Sequence, residues 1–339
     1  MRNILSAFGL DEKDCFIIPF GKGLINTTWQ VENRNKKYIL QRINNSIFKN
    51  PENIAFNIRV IADYLKAHFP THLFVNPCQA VDGSDMVKSD EGYYRMFPFI
   101  ENSHTIDVVE KPEQAYEAAK QFGRFSKLLS GFDASELKIT LPDFHNLSLR
   151  YQQFVYSLQH GNADRIKQSS DLIMVIKEHK NIVDEFEMYR RKLKIRVTHH
   201  DTKISNVLFG NDDKGLCVID LDTVMPGYFI SDVGDMMRTY LCPVSEEEKD
   251  FFKINIRKEF YEAIVDGYLS EMGEELTEFE KKYFLYAGKF MIYMQAIRFL
   301  TDHINDDIYY GSKYEGHNFV RAGNQITLLK CFAKDYRSF

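Results

Sequence analysis

Three features of this chain of 339 residues predict an α+β fold built from two unequal lobes. Strand-like segments crowd residues 1–100, with one strong helix among them. Residues 101–339 carry mostly helical periodicity. One stretch inside that helical part, THHDTKISNVLFGNDDKGLCVIDLD at 198–222, breaks the pattern with two strand-like runs around a polar turn. The length exceeds the usual single-domain size, so a small antiparallel-sheet N-terminal lobe and a larger, mostly helical C-terminal lobe enclosing a cleft are expected, with the boundary near Ile100.

A short first helix ends near Gly9, and three strands follow: CFIIPF, INTTWQV and KYILQRI. Gly21-Lys22-Gly23 turns the chain between the first two, and Glu32 to Lys36 forms the second hairpin loop. Glycines flanking one residue let backbone amides approach a ligand closely, and Asn26, Thr27 and Thr28 add polar groups, so this turn is a candidate phosphate cover. It is also simply a glycine hairpin, and GxxxxGK[ST] is absent. From Pro51 to His68, Ile54, Ile58, Ile61 and Leu65 repeat at helical spacing, with Asn50 as cap and Pro51 at the first position. Strand-like pieces come at Leu73 to Ala80 and Tyr93 to Phe97, and Pro98 stops the pairing where the chain crosses to the second lobe. Beyond it, Ala115, Ala118, Ala119, Phe122, Phe125 and Leu129 form a helical stripe, residues 147–192 read as two or three helices, and 246–270, 277–304 and 318–334 as further ones.

Composition narrows the function. Apolar residues are 44 % and aromatics 14 %, enough for packed cores. Forty-three basic against 48 acidic residues leave a net charge of -5, which argues against a nucleic-acid binder and for small-molecule partners. Five scattered cysteines without a CxxC pair suggest neither a disulfide framework nor a thiolate zinc site. With no leader-like start and no apolar run near eighteen residues, a cytoplasmic protein without membrane contact or obligate protein partner is expected.

The stretch at 198–222 carries the chemistry. Asp201, Lys203 and Asn206 fall on one loop, and Asp220 and Asp222 are two apart on an expected strand, hence on one face. Carboxylates and a carboxamide so gathered offer hard oxygen ligands for Mg²⁺, which keeps waters and takes substrate phosphates as well. Phosphoryl transfer needs positioning, charge neutralisation and an acceptor for the incoming hydroxyl proton. Asp201 suits the proton acceptor, Lys203 the transferring phosphoryl group, and Asn206 with Asp220 the metal. His199 suits bracing. A transition-metal hydrolase using His199 and His200 is disfavoured, because adjacent residues on an extended chain point to opposite faces.

At these residues the chain resembles the aminoglycoside phosphotransferase and choline kinase family, through HHDTKISN (199–206) and IDLD (219–222). GLINTT at 23–28, YILQRIN at 38–44, VIDLDTVMPG at 218–227, and RFLTDHINDDIYY are similar to its N-acetylhexosamine 1-kinase group. The resemblance implies a bilobal protein-kinase-like fold and MgATP-dependent phosphorylation of the anomeric hydroxyl of an amino sugar. It further implies adenine beside Phe97 and Phe99, phosphates under the Gly21–Thr28 turn, Asp232 bracing the catalytic loop, and Arg298 and Tyr309 at the sugar. Asp222 is left to metal, sugar or loop. Kinase-like folds hold the α and β phosphates with a strand lysine paired to a helix glutamate. This strand offers Gln41 and Arg42 instead, and the helix only Glu52; Arg42 is the expected phosphate contact, with Gln41 the other occupant of that position.

Overall fold

The structure is a computed structural model that describes residues 1–21 and 25–336. The N-terminal lobe opens with α1 (Arg2–Ala7), then β1 (Cys15–Pro19), β2 (Thr27–Asn33), β3 (Lys36–Ile43), α2 (Pro51–His68), β4 (Val87–Ser89) and β5 (Gly92–Pro98). The five strands form one antiparallel sheet in the order β1-β2-β3-β5-β4. Residues paired in register share a face. Leu40 and Met96, Val31 and Tyr94 therefore line one side, where they pack with Ile4 and Leu5 of α1 in a small core. The opposite face carries Thr28, Gln41, Arg95 and Phe97 and turns toward the helical lobe.

α2 buries Ile54, Ile58, Ile61 and Leu65 as its spacing predicts, each contributing about 1.5–3 kcal/mol of apolar burial. Pro51 starts it, but Asn50 makes no side-chain capping bond. The expected strand at Leu73–Ala80 is absent apart from a single bridge between Cys78 and Met96. Pro77 explains this, since it removes a ladder donor in mid-run.

β6 (Ser103–His104) follows the crossing segment, then α3 (Pro112–Leu128), α4 (Leu147–His160), α5 (Ala163–Gln168), α6 (Ser170–Glu178) and α7 (Asn181–Tyr189). Residues 147–192 thus hold four helices, because Asn162 caps a separate short one after Gly161. The functional stretch folds as β7 (Arg196–Thr198), β8 (Val207–Gly210), β9 (Gly215–Val218) and β10 (Met225–Gly227). β8 pairs with β9 and with β6, whereas β7 pairs with β10. Finally come α8 (Phe229–Tyr240), α9 (Lys258–Met272), α10 (Glu278–Lys281), α11 (Phe284–Ile304) and α12 (His317–Asp335). Residues 246–257, expected helical, hold only the 3₁₀ turn Phe251–Lys253.

A single large core runs from α2 through α3, α8, α9, α11 and α12. Gly123 and Gly267 let α3 and α9 meet closely: a Cβ on Gly123 would lie 2.9 Å from the Tyr268 carbonyl, and one on Gly267 would strike that of Tyr116. Among the described residues no helix is long and apolar enough to cross a membrane.

Candidate active site

The loop from His199 to Asn206 leaves β7 and is anchored from beneath by α8. The Asp232 carboxylate accepts the His199 N–H at 3.0 Å and the His200 N–H at 2.7 Å, and its carbonyl accepts the Thr202 hydroxyl at 2.7 Å. Asp235 accepts the Thr202 N–H at 2.9 Å, and the Tyr240 hydroxyl donates to the Thr202 carbonyl at 2.5 Å. The loop's buried backbone groups thereby find partners that no secondary structure supplies. Burial pushes the Asp232 carboxyl up to about 7, against the two backbone bonds that favour its charged form. Asp235 is held in turn by Arg238, which also reaches Glu246, and Arg321 closes on Glu246 from α12.

His199 is fully enclosed, edge-on to Phe122 at 5.1 Å. Burial lowers its pKa, and the neutral ring donates from Nε2 to the Ile219 carbonyl at 2.9 Å while Nδ1 accepts the Asp201 N–H at 3.4 Å. His200 has φ 67°, and its ring occupies the space a Cβ on Gly227 would fill. Both rings are buried against the loop's own surroundings, and the positive φ of His200 means that extended-chain alternation does not govern their directions.

Asp201 and Lys203 meet at 3.1 Å. Burial pushes the Asp201 carboxyl up, but Lys203 and His199 outweigh it and hold it ionised below its ordinary range, while Asp201 raises Lys203. The Asn206 side-chain N–H donates to the Asp201 carbonyl at 2.9 Å, which turns its oxygen the other way. Asp220 does not lie on a strand. β9 ends at Val218, Asp220 sits in the left-handed region at φ 59° and ψ 59°, and Leu221–Thr223 is a 3₁₀ turn, so strand alternation does not govern Asp220 and Asp222. Aspartate visits this region more readily than most residues, at a cost of about 1–3 kcal/mol.

Asp220 opens to the cleft. Its setting deep among protein groups, together with the charges of Asp222 and Asp201, pushes its carboxyl up to about 7, more than Arg95 and Lys203 offset. Among the described residues, no three His, Cys, Asp or Glu side chains are gathered to hold a metal by themselves. The donor set still fits Mg²⁺, which takes one or two protein oxygens plus waters and phosphates. The Asp220 carboxylate and the outward-turned Asn206 carboxamide oxygen, on segments tied by the Ile219 N–H to the Asn206 carbonyl at 2.9 Å, are donors of that kind.

On the sheet face above, Asp222 is enclosed rather than open to an acceptor: it is 2 % exposed, with Arg95 Nη1 at 2.5 Å from one oxygen and Asn26 Nδ2 at 2.7 Å from the other. Asn26 is spent on this contact and on the Asn44 N–H at 3.1 Å. Arg42 and Thr27, both expected at the phosphates, share the α1 side of the sheet with Tyr94, the face opposite the one that turns toward the helical lobe. Gln41 is on the inner face, donating to Thr28 Oγ1 at 3.3 Å and accepting from Arg95. Glu52 is a partner of Tyr93, not of a phosphate-holding cation. Phe97 stacks under Arg95 at 5.1 Å, and Phe99 meets Phe20 edge-on at 6.1 Å. Ile18 and Phe20, on the same face as Phe97, are 36 % and 41 % exposed. Gly21 has φ 74°, and Gly23 lies outside the described residues.

The helical lobe has a pocket of about 610 Å³ lined by Arg150, Gln153, Tyr156, Arg298, Tyr309 and Tyr310, among others. Arg298 and Tyr309, both expected at the sugar, lie together in this pocket, the guanidinium donating to the hydroxyl at 3.4 Å. An Arg298–Asp302 pair does not form, since Asp302 accepts the Tyr309 and Tyr310 N–H groups at 2.7 and 2.9 Å. Phe144 links this pocket to the catalytic loop: Arg298 lies 5.3 Å from its ring, Phe144 stacks on His145 at 4.4 Å, and His145 lies 5.3 Å from His200. Sequence reasoning missed Arg95, Asp235, Arg150 and Phe20. Only Asp235, in SDVGD beside Asp232, had a visible signal.

The profile of the phosphotransferase enzyme family matches residues 17–279. The chain belongs to that family. Among solved structures, it is similar to a spectinomycin phosphotransferase in complex with ADP and spectinomycin, at 12 % identity and TM-score 0.62, covering 98 % of this chain and 97 % of that one. It is similar to a microcompartment-associated aminopropanol kinase at 14 % identity and TM-score 0.64, covering 98 % and 97 %. An ethanolamine kinase of Plasmodium vivax matches at 14 % identity and TM-score 0.59, covering 99 % and 88 %. These likenesses carry the fold, which is protein-kinase-like throughout. The chain is therefore a phosphotransferase built from an antiparallel-sheet lobe and a helical lobe.

Proposed function

We propose that this phosphotransferase is a MgATP-dependent kinase of N-acetylhexosamines that phosphorylates the anomeric hydroxyl. Residues 1–100 hold the nucleotide and residues 101–339 the acceptor. The adenine lies against Phe97 and Phe99, joined by Ile18 and Phe20, and the phosphates lie under the Gly21–Thr28 turn. Asn206 and Asp220 would hold Mg²⁺, which would supply neutralisation of the phosphate charge. Asp201 accepts the proton of the acceptor hydroxyl as its oxygen attacks the γ-phosphorus; the bond to the β-phosphate breaks and ADP leaves. Lys203 faces the transferring phosphoryl oxygens and stays protonated beside Asp201.

One observation carries the choice of acceptor: the pocket beside the catalytic loop is cationic. Arg150 and Arg298 line it, Arg150 Nε is buried without a partner among the described residues, and the single lining carboxylate, Asp302, has both oxygens committed to backbone N–H groups. A cationic acceptor such as ethanolamine or an aminoglycoside would meet two guanidiniums there and no uncommitted carboxylate among the lining residues, a like-charge juxtaposition that disfavours it. Hydroxyl and amide oxygens of an N-acetylated sugar suit guanidinium donors. The test is ADP release across N-acetylglucosamine, N-acetylgalactosamine, choline, ethanolamine and kanamycin. The N-acetyl sugars should stimulate release and the amines leave it at background; the opposite ranking overturns the reading.

A further inference from the structure

Both oxygens of Asp222 are held from the other lobe. Arg95 Nη1 takes one at 2.5 Å and Asn26 Nδ2 the other at 2.7 Å. Each holder is itself pinned. Gln41 Oε1 accepts from Arg95 Nε at 3.1 Å and Nη2 at 2.9 Å, Gln41 donates to Thr28, and Asn26 accepts the Asn44 N–H. A continuous polar chain thus runs from Thr28 through Gln41 and Arg95 of the sheet to Asp222 in the 3₁₀ turn that follows Asp220. Arg95 is 1 % exposed, so this is an enclosed charge pair and not a surface contact.

Asp220, two residues before Asp222, has no hydrogen bond or ion pair of its own among the described residues and a strained backbone. Its direction is set by its flanks: the Ile219 N–H on the Asn206 carbonyl at 2.9 Å, and the clamp on Asp222. We propose that Arg95 is a positioning residue that fixes the metal-facing carboxylate Asp220 through Asp222, coupling the nucleotide lobe to the metal. In this chain a strand arginine gripping the metal segment stands in for a strand lysine gripping a helix glutamate, which Gln41, Arg42 and Glu52 do not supply. The inference rests on the metal reading of Asp220 and is independent of the acceptor.

The test is binding of fluorescent ADP titrated with Mg²⁺, alongside melting temperature, in Arg95→Met, Asp222→Leu, the double variant and Arg95→Lys. Partners of this kind change metal affinity by about 10–100-fold, and removing one member of a buried pair destabilises more than replacing both. Arg95→Met should therefore melt early and need at least about tenfold more Mg²⁺. The double variant should regain melting temperature while keeping the raised Mg²⁺ requirement. Arg95→Lys, which keeps the charge but loses the fork to Gln41, should fold and show an intermediate requirement. A double variant or Arg95→Lys with the wild-type Mg²⁺ requirement overturns the proposal, as does a lowered requirement in Arg95→Met. Wild-type ADP binding that ignores Mg²⁺ would remove the metal reading itself, a separate failure.

Discussion

Asp232→Asn isolates how the catalytic loop is held. In the wild type the two carboxylate oxygens meet the N–H groups of His199 and His200 at 3.0 and 2.7 Å. An amide keeps one acceptor and turns an NH₂ toward the other N–H, leaving a buried donor unpaired at about 1–3 kcal/mol and losing a bond worth about 1 kcal/mol more. The expected loss is about 2–4 kcal/mol. For 339 residues, an unfolding entropy of about 2.1 cal/mol/K per residue converts this into a melting temperature lower by about 3–6 °C. The loss also depends on pH. Because burial raises the folded-state carboxyl to about 7, the native protein holds a proton that the unfolded chain has released between roughly pH 4 and 7, so this group's contribution declines as pH rises through that window. The gap between wild type and variant should be widest near pH 5 and shrink toward pH 8. Turnover should fall about 100-fold, since a displacement near 1 Å at the reacting groups costs that much. Melting curves from pH 5 to 8 with steady-state turnover check all three. A variant within about 1 °C of wild type at every pH, with turnover intact, would refute the anchoring role.

Other perturbations separate the site's parts. Asp201→Asn should reduce kcat by about 10²–10⁴-fold while ADP binding stays measurable by calorimetry, as expected for loss of a proton acceptor. Arg298→Ala should raise KM for the acceptor about tenfold or more, with KM for ATP unchanged, in initial-rate measurements. Glu246 bridges Arg238 and Arg321; burial pushes its carboxyl up, but the two guanidiniums bring it down to about 2. A depressed acid stabilises above its unfolded pKa near 4.5 and loses that contribution as pH falls toward about 2. Glu246→Gln should therefore be less stable at pH 7 by about 2 kcal/mol after allowing for the pair's partial exposure, and the gap should narrow from pH 4.5 down to about 2.

The helix at Pro51–His68 and the β8–β9 hairpin were legible because their periodicity and turn residues are local properties of the chain. The loop motif was legible for the same reason: Asp201, Lys203 and Asn206 lie within six residues of one another and do meet. What escaped depends on register and on backbone signs. Gln41 and Arg42 are both polar, so the sequence did not tell which faces inward; the pairing of Gln41 with Arg95 decides it. Arg95 sits unmarked inside YYRMF, and its partner Asp222 is 127 residues away. Asp220 and Asp222 read as strand neighbours because nothing local announces the positive φ that ends β9 early. Arg150 and Arg298 come from helices separated by most of the C-terminal lobe, and only packing gathers them.

Phosphorus NMR of the product formed from N-acetylglucosamine and MgATP tests the central claim most directly. The account predicts one new phosphomonoester whose phosphorus couples to the anomeric proton, in step with ADP. A phosphate on any other sugar carbon, or no sugar phosphate while choline or ethanolamine is phosphorylated under the same conditions, would contradict it.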